Sequence, residues 1–294
     1  MNEPTFSCTM LLMLLTGITS YFGFRSYAVE EKYIFNPERI LAGKEYYRLV
    51  TSAFLHADWR HLIMNLITLY FFGGPVEALL GKGQFLLIYF GAVIGGDLLS
   101  LYIHRNHQYR SYGASGGVCG LIFAYILMFP GAGISMFFIP IAIPGWLYAI
   151  GFMLLSFFGI KGSYRGNIGH DAHLGGAIVG FLIAAGLHPE FVRDDPKMFL
   201  LVLVPAILLL VYLWFNPLFL PLAGFLRGPA RSRARVKAMP KHKRESLAVD
   251  EILEKIATSG FESLTAEEKS LLGEVSGKYQ RRAESKKPKS GLAI

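Results

Sequence analysis

Seven blocks of nearly unbroken apolar residues constrain this chain before anything else does: 6–24, 62–80, 85–103, 115–130, 146–160, 172–187 and 198–222. About 20 helical residues cross a hydrocarbon layer, and about 15 to 17 suffice where the bilayer thins or protein flanks the ends. Six or seven crossings follow. Backbone amides in lipid must be satisfied within their own segment, so each block is a helix unless it closes a barrel. The blocks lack the strict alternation of barrel strands. The 53% hydrophobic content of the 294 residues exceeds that of an ordinary soluble domain, in keeping with a polytopic all-α membrane protein.

Glycines recur inside the blocks as Gly91/Gly95, Gly116/Gly120 and Gly176/Gly180. Each pair is four residues apart, on one helix face, where small residues let backbones approach closely. The first block reads as a helix rather than a secretion signal, because only Glu3 is charged before it and no small-residue cleavage site follows. Cys8 and Cys119 are the only two cysteines, too few for a disulfide framework or a metal cluster.

Basic charge concentrates at the end of the chain. Residues 227–294 hold sixteen Lys/Arg against nine Asp/Glu, a net of +7 out of +8 overall. Eight of them, from Arg227 to Arg244, crowd a Pro/Ser/Arg stretch directly after the last apolar block. Nucleic-acid binding needs such charge on a folded face with aromatic rings. This setting fits instead a linker at the membrane surface, against acidic headgroups. Beyond it, 247–258 and 265–275 read as two short amphipathic helices forming a hairpin, the second opened by a Thr265/Glu268 capping box. The organisation expected is a core over 1–190, an extra membrane helix over 191–226, a basic linker over 227–246, a soluble helical hairpin over 247–277 and a disordered tail over 278–294.

Polar groups capable of chemistry sit inside this apolar frame. Ser115, within Gly113-Ala114-Ser115-Gly116, stands at the mouth of the fourth block, and His173 lies in the sixth. Ionisable groups within membrane segments are costly and mark function by default. A serine hydroxyl becomes a nucleophile when a base within hydrogen-bond reach takes its proton. Ser115 also starts its helix, where free amides and the macrodipole favour developing negative charge. His61 and Asn65, spaced i, i+4 on the second block, project from one face as oxyanion donors, together with the Ser115 amide. Acyl transfer wants this set.

Together these residues resemble the rhomboid family of intramembrane serine proteases. The resemblance rests on His56 and His61 through Asn65 in FLHADWRHLIMN, Gly73-Gly74 with Glu77, Gly113-Ala114-Ser115-Gly116, and Ala172-His173-Leu174-Gly175-Gly176 with Gly180, over about residues 5–190. It implies a six-helix rhomboid core in which Ser115 on the fourth helix and His173 on the sixth form a catalytic dyad without a third acid. His61 and Asn65 would line an oxyanion hole, with Gly113 beside them as a substrate-stabilising position. The cavity would open to the outer face, the 161–167 loop would be a candidate cap, and single-pass transmembrane proteins in the bilayer would be the substrates. No cofactor, metal or nucleic-acid partner is implied, and a bacterial plasma (inner) membrane is the expected location. A non-catalytic relative that binds or retains client helices is the alternative. Arg48 matches the arginine of the family's Trp-Arg pair, with Tyr47 in place of the tryptophan. Cys119 stands where relatives often carry a ring against the catalytic histidine, leaving a glycine-mediated helix contact or another ring to hold His173.

Other polar residues read as structural. Asp171 precedes His173 by two positions, about 200° around the helix, so it cannot easily bond that imidazole. Asp97 is expected to bond a neighbouring helix or loop, and His56 and His170 to sit at the aqueous rim, bonded or solvated. Charge distribution opposes the family orientation. With the amino terminus inside, the outer loops hold Arg25, Lys32, Arg39, Lys44, Arg48, Arg60, Arg105, Arg110, Lys161 and Arg165, and the inner loops before the last block only Lys82, Arg193 and Lys197. Cytoplasmic loops normally hold the excess. The last block, with Pro205, Pro217 and Pro221, either crosses straight and leaves the tail outside, which is the preferred reading, or turns back as a broken hairpin.

Overall fold

A computed structural model describes residues 7–106, 109–136, 139–162, 169–215, 252 and 263–273. Contacts divide the chain into two compact units, Met1–Pro221 and Leu222–Ile294. The first is a bundle of apolar helices. α1 (Cys8–Arg25) is followed by three short helices, α2 (Tyr27–Tyr33), α3 (Pro37–Leu41) and α4 (Arg48–Thr51), and by a 3₁₀ turn at Ser52–Phe54. α5 (Trp59–His104) contains the second and third apolar blocks, and α6 (Ser115–Met128), α7 (Gly145–Gly162) and α8 (His170–Leu187) contain the next three. A short α9 (Pro189–Asp194) leads into α10 (Pro196–Phe215), which holds most of the seventh apolar block.

The 46 residues of α5 are two limbs broken at Gly81, where φ is 78° and ψ is 168°. Glycine takes that conformation without a Cβ penalty. The chain reverses there, since His61 on the first limb and Asp97 on the second line one cavity. Asp58 caps the start of α5, its carboxylate accepting from the His61 amide at 2.9 Å. At the start of α1, the Glu77 carboxylate accepts from Ser7 Oγ (2.7 Å), Cys8 N (2.7 Å), Thr9 N (2.8 Å) and Thr9 Oγ1 (2.7 Å). A negative charge there complements the helix dipole and pins α1 to α5.

α6 is the pillar of the bundle, buried without interruption from Gly116 to Ala124. α8 packs against it and against α5 through glycines. A Cβ on Gly176 or Gly180 would come within 3 Å of the backbone of Gly116 or Gly120, and one on Gly95 would collide with Val179. All three glycine pairs read from the sequence lie at contacts made by α8, since Gly91 faces Ile183. With no aqueous hydrophobic effect between lipid-embedded helices, such close van der Waals fit supplies much of their association.

One element departs from the purely helical expectation. Between α6 and α7 a two-stranded antiparallel hairpin pairs β1 (Gly133–Met136) with β2 (Ile139–Pro144), Ile134 opposite Ile143 and Ser135 opposite Ala142. Its pairing satisfies backbone groups of this connection within the connection itself.

α10 runs as one helix from Pro196 to Phe215 with Pro205 inside it, long and apolar enough to cross a membrane. Its early Phe199 stacks on Phe181 of α8 (5.4 Å, 12°), whereas Trp214 near its end stacks on Tyr102 of α5 (5.3 Å, 2°) and accepts from the Tyr102 hydroxyl at 3.3 Å. In the second unit, residues 266–273 are helical and Thr265 and Glu268 form the expected reciprocal cap, with N···O distances of 2.7 and 3.3 Å. The basic linker, the first hairpin helix apart from residue 252, the 278–294 tail and most of the 161–167 loop lie outside the described residues.

Candidate active site

The cavity lies at the end of the bundle where α5, α6 and α8 begin. It measures about 200 Å³ and is lined by residues that include Ser52, Asp58, His61, Asp97, Gly113, Ser115 and His173. Ser115 is the first residue of α6, and its preceding residue Ala114 supplies no side-chain cap, so the first-turn amides are not satisfied by a capping side chain. His173 projects from the first turn of α8. Fifty-eight residues apart in sequence, Ser115 Oγ and His173 Nε2 stand 2.7 Å apart.

The loop that leads into Ser115 is held from three sides. Phe35 and Ser111 exchange backbone hydrogen bonds (3.0 and 3.3 Å), the Gly113 amide donates to Ser52 O (3.1 Å), and the Ala114 amide donates to His56 Nε2 (3.3 Å). His56 is therefore an acceptor at Nε2 and carries its proton on Nδ1, 3.0 Å from Ser20 Oγ, which itself donates to Phe54 O at 2.9 Å. Burial, reinforced by the neighbouring His61, pushes the His56 pKa down to about 3, which keeps the imidazole neutral. His56 is 5% exposed, so the aqueous-rim expectation holds only in its bonded form.

Gly113 has φ of 139°, a region that disfavours side chains, and a Cβ there would lie 2.9 Å from His61 Cε1. Its contribution is room beside the His61 ring, because its own amide is spent on Ser52. Asn65 differs from the other expected site residues. It is buried, its side-chain amide donates to the His61 carbonyl at 3.0 Å, and it does not line the cavity. An i, i+4 back-bond competes with projection into the cavity, a possibility that helical spacing does not reveal.

Asp171 points away from His173, as the helix geometry required. Its carboxylate accepts from Ser100 Oγ (2.5 Å) and the Tyr109 hydroxyl (3.3 Å) and pairs with His104 Nε2 (3.1 Å). His104 and Tyr109 stack at 3.6 Å. This buried cluster ties the first turn of α8 to the end of α5. Asp97 accepts from Ser52 Oγ at 2.8 Å, a bond to the preceding loop, as expected. The ring beside His173 is Phe152 of α7, 6.4 Å away and inclined 32°, with His170 at 6.0 Å on another side. Cys119 is buried and unpaired with any other cysteine.

Arg48 is 1% exposed and fully engaged, with Nε donating to Glu45 Oε2 (2.6 Å) and Nη1 to the carbonyls of Glu31 (2.9 Å) and Ile34 (2.7 Å). Tyr47 completes the knot, its hydroxyl donating to Glu45 Oε2 at 2.9 Å. The Arg48 guanidinium and the Tyr47 hydroxyl hold the Glu45 carboxyl below its ordinary pKa. Sequence reasoning missed Glu45, Phe152 and the Asp58 cap; an Asp directly before an apolar helix was the available signal for the last.

Residues 43–190 match the family model of the Rhomboid domain. The chain belongs to the rhomboid family. Residues 240–278 match a second model, a family of unknown function (DUF6576). Among curated relatives, the putative rhomboid protease YdcA of Bacillus subtilis is 32% identical over 146 residues, 49% of this chain and 68% of that protein. Rhomboid protein 1, mitochondrial, of Saccharomyces cerevisiae is 30% identical over 138 residues, 46% and 40% of the two chains. Rhomboid protease GluP of Bacillus subtilis is 35% identical over 148 residues, 50% and 27%. The match thus spans less than half of the yeast protein and of GluP. Rhomboid proteases are intramembrane serine peptidases, and the family also contains inactive members. This rhomboid is an integral, multi-pass membrane protein.

Proposed function

We propose that this chain is an intramembrane serine endopeptidase that cuts single-pass transmembrane proteins through a Ser115–His173 dyad. The carrying observation is the 2.7 Å contact between Ser115 Oγ and His173 Nε2 at a helix N-terminus that lines a cavity. In this reading His173 takes the Ser115 proton as Oγ bonds to the scissile carbonyl carbon. The resulting oxyanion is met by the Ser115 amide and the His61 ring, each well-placed donor supplying on the order of 3 kcal/mol. Asn65 holds the His61 turn, and Gly113 leaves space for the substrate. The imidazolium gives its proton to the leaving amine, and water then cleaves the acyl ester by the same base, restoring Ser115. Client segments must unwind near the cavity, because a helix hides its carbonyls in intrahelical bonds.

Residues 1–190 would form the catalytic core, 191–226 an added membrane helix, and 227–294 an appendage of linker, hairpin and tail. The location proposed is a bacterial plasma (inner) membrane. Support comes from the two Bacillus subtilis relatives; recovery of the native protein in an organelle membrane fraction would contradict it.

In liposomes, the unaltered protein should cleave a transmembrane substrate, and Ser115→Ala and His173→Ala should not. Cleavage persisting in both variants removes the mechanism. Client capture without cleavage by the unaltered, folded protein would favour a non-catalytic binder.

A further inference from the structure

His173 is bonded at one ring nitrogen only. Nε2 meets Ser115 Oγ at 2.7 Å, while none of the described residues bonds Nδ1, so no acceptor sets the ring from behind. Phe152 and His170 lie at 6.4 and 6.0 Å, contacts that pack the ring without directing it. The position of the imidazole therefore rests on the backbone that carries it, the first turn of α8. That turn starts after Gly169, which offers no capping side chain. A reacting pair must be held within about 0.5 Å of its productive geometry by supporting contacts.

The one carboxylate in that turn is Asp171, which is buried and gathers donors from two other segments. Oδ2 takes Ser100 Oγ (2.5 Å) and His104 Nε2 (3.1 Å), both near the end of α5. Oδ1 takes the Tyr109 hydroxyl (3.3 Å), which belongs to the loop running into Ser115. Tyr109 is itself fixed, stacked on His104 at 3.6 Å and set edge-on to Phe35 at 6.2 Å. Two residues on, Ser111 exchanges backbone bonds with that same Phe35. A Cβ on Gly169 would lie 3.6 Å from the Tyr109 hydroxyl and 3.8 Å from Asp171 Oδ1, so the loop and the start of α8 meet in ordinary contact.

We propose that Asp171 is a positioning residue for both halves of the dyad. It couples the turn that carries His173 to the loop that leads into Ser115, with the end of α5 as their common frame. Without it the imidazole and the hydroxyl drift relative to each other, and a misplacement of about 1 Å can cost about 10²-fold in rate. Its effect on rate rests on the protease reading above; the coupling itself does not depend on catalysis.

Fluorophosphonate kinetics on the full-length protein in liposomes, well below each variant's melting temperature, separate the maximal labelling rate at Ser115 from probe affinity. Asp171→Ala should lower the maximal rate at least about tenfold, with affinity within about twofold. Asp171→Asn, whose amide still bonds Ser100 and Tyr109, should recover most of it. Tyr109→Phe keeps the ring stack and deletes only the loop-side bond. It should slow labelling about threefold in the parent and not at all in Asp171→Ala. A folded Asp171→Ala or Tyr109→Phe with the parent rate, a loss carried by affinity alone, or costs that multiply in the double variant overturn the inference. Amide exchange reads the coupling without chemistry. Tyr109→Phe should speed exchange at least about threefold both over 111–114 and over 173–176, and a change confined to the loop overturns the inference. If the unaltered protein does not label at Ser115, the protease reading fails, and the exchange result still decides the coupling.

Discussion

His56 shows how one side chain can set the position of another residue's chemistry. Its Nε2 accepts from the amide just before Ser115, and its Nδ1 proton reaches Ser20 of α1. The first bond needs the neutral ring, because a protonated Nε2 cannot accept. With the folded pKa near 3 against 6.5 for the free group, the unfolded chain takes up the proton first as pH falls. Stability from this site is complete above pH 6.5 and declines through the interval down to pH 3. About 2 kcal/mol should be lost by pH 5, read as a falling melting temperature in detergent, and His56→Gln should flatten that slope. Gly113→Ala meets both a positive φ and the His61 ring. A local strain of about 1–3 kcal/mol is expected, with at least a roughly tenfold slower fluorophosphonate reaction at Ser115. An unchanged rate would show that the loop tolerates the methyl group. At this scale the sequence made Ser115, His173 and His61 visible because buried ionisable groups are few in apolar blocks. The roles of His56, Phe152 and Glu45 were not visible, since each depends on a partner brought up by another element. Asn65 was read by face, but its amide turned to its own helix.

Helices were legible as elements because hydrocarbon thickness and amide satisfaction leave few choices for an apolar block. The short helices before Ser52, the Gly81 break and the β hairpin were not, since none repeats a period long enough to read. Gly176 and Gly180 carry the contact that brings α8, and with it His173, onto α6. Gly180→Leu should push the helices apart, lowering stability by about 1–3 kcal/mol and Ser115 labelling with it; overpacking costs of that size are usual in filled interfaces. A Gly180→Leu protein that melts and labels like the parent would refute the close contact. Glu77 works at the opposite end of the bundle. Glu77→Gln removes the charge that receives four bonds at the start of α1, and about 1.5–3 kcal/mol should go with it. Loosening of α1 would appear as faster amide exchange over residues 8–12.

At the scale of the whole molecule, the order and spacing of polar residues carried the family resemblance, whereas the seating of α10 against α5 and α8 was not readable from its composition. The residues after 227 are a separate matter, and their match to a family of unknown function attaches no chemistry to them. Deleting them should leave Ser115 labelling within about twofold if the dyad is complete within the helical bundle; loss of labelling in a folded, membrane-inserted truncation would give the appendage a part in the site.

The most direct measurement is fluorophosphonate labelling of the purified, folded protein, with the modified residue mapped by mass spectrometry. The 2.7 Å pairing of an imidazole with a helix-terminal hydroxyl predicts stoichiometric modification of Ser115 alone, none in Ser115→Ala, and a rate lower by at least about 10²-fold in His173→Ala. A folded protein that does not label, or one that labels equally well without His173, would contradict it.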